Sequence, residues 1–203
     1  MVRLVFDAEI RRSIVDAARR LYIRGLNSTL SGNISARSSN KRYFWITPGS
    51  RDKARLSIED LSLVDVESGN RVMGREPSSE YRMHLLLYRV RGDVNAIIHT
   101  HQLYTTIAHR AGLLRRELLE ESYEARIYLR GISLVPRLEP GSLELAEAVA
   151  RELSERGKYI AVIEGHGVVA VGEEVAEALN RAEILEMEAK RLVNLAIMGV
   201  IAR

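Results

Sequence analysis

The chain has 203 residues, 46% of them hydrophobic and 28% charged, the balance of a globular protein long enough to bury one core, so a single domain over residues 1–203 is expected. Cysteine is absent, which excludes disulfides, thiolate catalysis and cysteine-held zinc, and leaves His, Asp and Glu as the ligands of any transition-metal site. The 30 basic and 27 acidic residues are interspersed without a polybasic tail, arguing against a nucleic-acid partner despite the net charge of +3.

The first periodic segment covers residues 7–24, where Ile10, Ile14, Ala17, Ala18 and Leu21 fall at helical spacing before Gly25. Ser31-Gly32-Asn33 leads into a short strand over 34–37, and a second strand over 43–47 stops at Pro48-Gly49. A third is expected over 61–66, ahead of a turn at 67–70. Pro77-Ser78-Ser79-Glu80 opens a helix to about Arg91, with Ser78 or Ser79 as N-cap and Glu80 in the first turn. An apolar strand over 94–98 runs into His99-Thr100-His101, and a helix follows over 103–111. Residues 113–137 read as a helical piece followed by a strand near 132–135. Ser142 caps a helix reaching Arg156, strands are expected over 159–163 and 168–171 around Gly165-His166-Gly167, and a last helix covers 173–198. Mixed strands and helices with hairpin-like pairs indicate a layered α/β or α+β domain with much antiparallel sheet.

No apolar run is long enough to span a bilayer, and Met1-Val2-Arg3-Leu4 lacks the apolar core of a secretory signal; no membrane partner and a cytoplasmic location are therefore expected. Arginine outnumbers lysine 26 to 4, a bias that fits a thermophile and fits genome composition as well.

Five histidines are present, and two of them sit one residue apart. In an extended segment residues i and i+2 project from one face, so His99 and His101 can reach the same ion. An isolated His-x-His fits exposed or hydrogen-bonded histidines equally well. His166 between two glycines changes the balance, because three imidazoles supply the protein ligands of a catalytic zinc with one position open. Glu80 alone reads as a capping residue, yet a helix start behind two serines also offers N–H groups and hydroxyls to a phosphate. Ser31-Gly32-Asn33 and Thr47-Pro48-Gly49-Ser50 are turns able to line the same anion. His84 follows Glu80 by four residues and could share its helix face, but for His84 and His109 a packed or capping role is the stronger reading.

The segments Ser31-Gly32-Asn33-Ile34-Ser35, Ile46-Thr47-Pro48, Pro77-Ser78-Ser79-Glu80 with His84, His99-Thr100-His101 and Gly165-His166-Gly167 resemble, in order and spacing, the class II aldolase/adducin family. The resemblance implies an αβα three-layer sandwich around a mostly antiparallel sheet. It implies Zn2+ (or another divalent cation) held by His99, His101 and His166, with Glu80 as fourth ligand and as acid/base once substrate displaces it. It assigns phosphate contacts to Gly32, Asn33, Thr47, Ser78 and Ser79, and a small phosphorylated sugar as substrate. The reaction implied is reversible cleavage of a ketose 1-phosphate, such as L-fuculose 1-phosphate, to dihydroxyacetone phosphate and an aldehyde. A methylthioribulose-1-phosphate dehydratase and a pentulose-phosphate 4-epimerase share that metal site, and a non-catalytic adducin-like binding module is the rival of another class.

The family also implies a homotetramer with sites between subunits. The apolar stretch Leu192, Val193, Leu195, Ile197, Met198, Val200 and Ile201 suits a partner surface or simple core packing. The family's Thr-Pro-Ser/Thr-Gly turn here has Gly49-Ser50, and Gly165 stands where His or Asn is common. Family aldolases use a tyrosine from a C-terminal tail, and this sequence has none after Tyr159. A second family tyrosine, serving the aldehyde half, maps to Tyr123, with Tyr128 competing.

Overall fold

A computed structural model describes residues 7–201; the Met1-Val2-Arg3-Leu4 reading lies outside them. In chain order the elements are α1 (Ala8–Ile23), β1 (Asn33–Arg37), β2 (Tyr43–Ile46), β3 (Ser62–Asp65), β4 (Arg71–Met73), α2 (Tyr81–Val90), β5 (Ala96–Thr100), α3 (Leu103–Arg110), α4 (Arg116–Glu120), α5 (Tyr123–Tyr128), β6 (Ser133–Val135), α6 (Leu143–Glu152), β7 (Ile160–Ile163), β8 (Gly167–Gly172) and α7 (Val175–Ile197). One eight-stranded sheet runs in the order β4-β3-β2-β1-β5-β8-β7-β6. Every pairing is antiparallel except β6 with β7, as expected for a mostly antiparallel sheet.

Both faces of the sheet are covered, giving three layers. Ile34, Ala36, Ala96, Ile98, Val168 and Ala170 point to one core, shared with α1, α3, α4, α5 and α7. Their alternates Ile97, Val169 and Val171 point to the other, shared with α2 and α6. The period of two thus sorts each central strand between two helical layers, and β5, carrying an apolar residue at every position from Ala96 to Ile98, is buried throughout. Among the described residues no helix is long and apolar enough to cross a membrane.

Three readings are corrected. β4 was not anticipated: all three of its residues are exposed, so this edge strand carries no hydrophobic alternation. The helix over 77–91 starts later, at Tyr81, with Glu80 itself in the N-cap position. Ser78 Oγ accepts the Glu80 N–H at 3.3 Å, which stabilises a turn before the helix instead of its first residue. The Ser142-capped helix stops at Glu152, not Arg156, and its cap is confirmed by Ser142 Oγ accepting from Leu145 N at 3.1 Å. At the other end of the chain, Leu192 and Val193 belong to the core, whereas Ile197, Met198 and Val200 are exposed.

Candidate metal centre

Three neighbouring strands and one helix start converge at one end of the sheet. His99 ends the apolar run of β5 on the α2/α6 face, following Ile97 by two residues. His101 lies just beyond the strand, its N–H held by Asn27 Oδ1 at 3.0 Å. His166 sits in the turn between β7 and β8. Its two glycines serve different ends: Gly165 takes a positive φ of 64°, and Gly167 passes so close to β5 that an added Cβ would lie 2.2 Å from Thr100 O. Glu80 projects into the same space from the start of α2.

The ligand atoms of Glu80, His99, His101 and His166 all lie within 4.8 Å of one another. His99 Nε2 is 3.0 Å from His101 Nε2 and 3.2 Å from Glu80 Oε2, and His166 Nε2 is 3.3 Å from Glu80 Oε1. Four ligands about 2.0–2.1 Å from a tetrahedral zinc are separated by about 3.3 Å, so the spacing fits a metal of that size. His99 Nδ1–H donates to Val168 O at 3.0 Å, which leaves the Nε2 lone pair facing the centre. Glu80 Oε1 is buried without a hydrogen-bond partner, an expensive arrangement for a carboxylate unless a cation meets it.

Electrostatics agree with that donor set. Burial, with the neighbouring His99 and His166, lowers His101 to about 4, and burial with His99 lowers His166, so at neutral pH these rings are uncharged donors. For Glu80, burial raises the carboxyl, but the His99, His166 and His101 rings outweigh it and hold it at about 2. Burial likewise brings His84 down to about 3.

The cluster opens onto a cavity of about 930 Å³ whose walls include Gly32, Asn33, Ser78, Ser79, Glu80, His101 and His166. Gly141 also lines it, where an added Cβ would lie 3.2 Å from Ser79 O. Thr47 is fully buried beneath, its Oγ1 accepting the Ile34 N–H at 3.1 Å, and is not among the lining residues. The Asn33 amide is turned inward, donating from Nδ2 to Glu80 Oε2 at 3.0 Å. Tyr123 on α5 is 69% exposed and does not line the cavity of its own chain.

Sequence reasoning missed Lys53. It is 2% exposed, lines the cavity and donates from Nζ to Pro48 O and Arg51 O at 3.2 Å and to Leu30 O at 3.4 Å. Its ammonium therefore ties the Thr47-Pro48-Gly49-Ser50 turn to the one before β1. Its only signal was a lone lysine among arginines, which carries no pattern. Asn27, which also lies against Gly32, was missed for the same reason.

A three-histidine, one-carboxylate cluster that could hold a metal ion, beside a polar cavity on a mixed sheet sandwiched by helices, defines an α/β protein with a candidate metal site. The chain belongs to the class II aldolase and adducin N-terminal domain family, whose model matches residues 12–193. It is 34% identical over 188 residues to the L-fuculose phosphate aldolase of Methanocaldococcus jannaschii, covering 92% of this chain and 98% of that protein. A methylthioribulose-1-phosphate dehydratase of an Enterobacter species is 32% identical over 182 residues, covering 85% of this chain and 88% of that one. Among solved structures, a sugar-phosphate aldolase from Thermotoga maritima superposes with a TM-score of 0.85 at 28% identity, over 94% of this chain and 96% of that chain.

Proposed function

We propose that the chain is a zinc-dependent aldolase that reversibly cleaves a ketose 1-phosphate, with L-fuculose 1-phosphate as the reference substrate, to dihydroxyacetone phosphate and an aldehyde. The observation that carries this reading is the Glu80 carboxylate, placed both within ligand distance of three histidines and on the wall of a cavity with an anion-suited rim. His99, His101 and His166, with Glu80, would hold the divalent cation, which supplies Lewis-acid stabilisation of negative charge on the substrate's ketone and hydroxyl oxygens.

The chain's own groups do the rest. The cavity-lining residues Gly32, Asn33, Ser78 and Ser79 are assigned to the phosphate, with Thr47, buried beneath them, holding the Ile34 N–H at the start of β1. Of these, Ser79 is exposed to the cavity at the start of α2, where helix N–H groups favour an anion, and the buried Lys53 ammonium adds positive potential. Anchoring the phosphate brings the adjacent ketone carbon to the cluster. In cleavage the C4 hydroxyl gives its proton to the Glu80 carboxylate as its C–O bond becomes the aldehyde carbonyl, the C3–C4 bond breaks with its electron pair entering an enediolate, and Glu80 returns the proton to C3; in synthesis the same transfers run in reverse. Tyr123 is assigned to the aldehyde half in the site of a neighbouring copy, the arrangement that a homotetramer provides and that its exposure permits.

Dehydration of methylthioribulose 1-phosphate is the second reading, favoured by the 32% identical dehydratase. Both pass through an enediolate beside the ketone: dehydration reaches it by removing the C3 proton and then expels the C4 hydroxyl as water, whereas aldol cleavage reaches it by breaking C3–C4. Metal analysis followed by an aldol screen separates them. Purified protein is expected to carry about one zinc per chain, and His99→Ala about a tenth of that or less. With zinc, dihydroxyacetone phosphate is expected to add to short aldehydes. Protein without metal would refute the enzyme reading, and zinc-loaded protein that dehydrates but forms no C–C bond would establish the second.

A further inference from the structure

On β1 the residues facing α2 are Asn33 and Ser35, polar positions in a strand buried on both sides. They meet two polar residues of α2, His84 and Tyr88, both fully enclosed. Ser35 Oγ is 2.6 Å from His84 Nδ1 and 2.8 Å from Tyr88 Oη, His84 Nε2 is 2.5 Å from Asn33 Oδ1, and Asn33 Nδ2 is 3.0 Å from Glu80 Oε2.

The direction of every bond follows from the last one. A carboxylate only accepts, so Asn33 must present its NH2 to Glu80 and its carbonyl to His84. A carbonyl only accepts, so His84 must carry its proton on Nε2, because the ring is neutral and has one proton to place. The bare Nδ1 must then accept from the Ser35 hydroxyl, whose remaining lone pair takes the Tyr88 proton. The result is a one-way chain, Tyr88 to Ser35 to His84 to Asn33 to Glu80, in which no member can turn round without leaving two acceptors or two donors face to face.

We propose that His84, Ser35 and Tyr88 are positioning residues that act through Asn33 to fix the Glu80 carboxylate beside the histidine cluster. The role of Glu80 as acid/base rests on the function proposed above; the chain that orients it does not. Burying four polar side chains between a strand and a helix is costly unless each is satisfied, and here each is, at the cost of admitting one tautomer only. With the Asn33 amide locked, Glu80 keeps a donor on Oε2 whether or not Oε2 also faces a cation. The carboxylate can therefore exchange roles by a small displacement while remaining held.

Two readouts test the chain. In protein labelled with 15N-histidine, two-bond 1H–15N correlations are expected to show His84 protonated at Nε2 and bare at Nδ1, unchanged from about pH 5 to 9. Ser35→Ala removes the donor to Nδ1 and is expected to shift the Nδ1 resonance while Nε2 keeps its proton, because Asn33 Oδ1 still has to receive it. In the aldol assay, Ser35→Ala and Tyr88→Phe are expected to lower kcat about 10-fold or more, with KM and zinc content within about twofold of wild type. His84→Gln, whose amide N–H can still meet Asn33 Oδ1, is expected to retain several-fold more kcat than His84→Leu. A wild-type His84 protonated at Nδ1 would overturn the chain, and Ser35→Ala with wild-type kcat would overturn its positioning role. The tautomer is read without substrate, so an inactive wild-type protein with the expected His84 spectrum would refute the proposed reaction alone.

Discussion

Gly167→Ala tests whether the metal centre depends on how closely β8 approaches β5. The added Cβ would lie 2.2 Å from Thr100 O and 3.2 Å from His99 Cε1. Ordinary carbon–oxygen contacts are about 3.3 Å or longer, so the two backbones must separate by about 1 Å. Both are central strands with apolar residues packed on each face, so the movement is resisted from both helical layers and is expected to cost about 1–3 kcal/mol. In a chain of this size that lowers Tm by roughly 2–12 °C. The same displacement moves His166 relative to His99 by several times the roughly 0.2 Å that a metal–ligand bond tolerates, so zinc affinity is expected to fall about 10- to 100-fold. Gly157→Ala is the control, because Gly157 has a φ of +91° and nothing within 4 Å of its added Cβ; it is expected to lose stability and keep zinc. The assays are thermal unfolding with and without zinc and competition of each variant against a chelator. A Gly167→Ala protein with wild-type Tm and wild-type zinc affinity would refute the reasoning.

Glu80→Gln keeps the side-chain volume and removes the base; kcat for aldol cleavage is expected to fall about 10²- to 10⁴-fold while inhibition by inorganic phosphate is unchanged, and a fall of less than tenfold would reassign the proton transfer. Lys53→Met leaves three carbonyls without their shared donor, for an expected loss of about 1–3 kcal/mol in urea unfolding together with weaker phosphate inhibition; an unchanged midpoint would show that the turns do not need the tie. The metal-free protein is expected to lose stability as pH falls from about 6.5 toward 3, because the unfolded chain protonates His84 while the native state, with His84 at about 3, does not. His101, lowered to about 4, acts in the same direction. For His84 the slope is at most about 1.4 kcal/mol per pH unit. Urea midpoints across that range check it, and a His84→Gln protein with the same slope as wild type would count against it.

What could be read from the sequence was whatever leaves a period or a rigid motif. The histidines were legible because β5 is a continuous apolar run that ends on them, and α1 because Ile14, Ala17, Ala18 and Leu21, its buried residues, fall at helical spacing. β4 left no trace, since an edge strand with every residue exposed has no hydrophobic face to show. The start of α2 was misplaced because the Ser78 hydroxyl stabilises a tight turn as readily as a helix end. The sequence Asn33-Ile34-Ser35-Ala36-Arg37 alternates polar and apolar as a half-exposed strand does, yet all five residues are buried. Only α2, which answers each polar position with a polar partner, reveals the difference, and that pairing spans some 50 residues of sequence.

The same strand explains why the centre forms where it does. Asn33 of β1 is the direct cross-strand partner of His99 of β5, and His99 is in turn the partner of Val169 of β8. Directly opposed residues share a face, so Asn33 and His99 are bound to emerge side by side on the α2 side of the sheet. Glu80 Oε2 meets both, at 3.0 Å from Asn33 Nδ2 and 3.2 Å from His99 Nε2. A slip of one residue between β1 and β5 would send Asn33 into the opposite core and leave Glu80 without its donor. That slip is opposed at every other position of β1, because Ile34 and Ala36 would be driven against His84 and Tyr88 while Ser35 entered the apolar layer under α1 and α7. The apolar residues of β1 thereby enforce the register that its polar residues need.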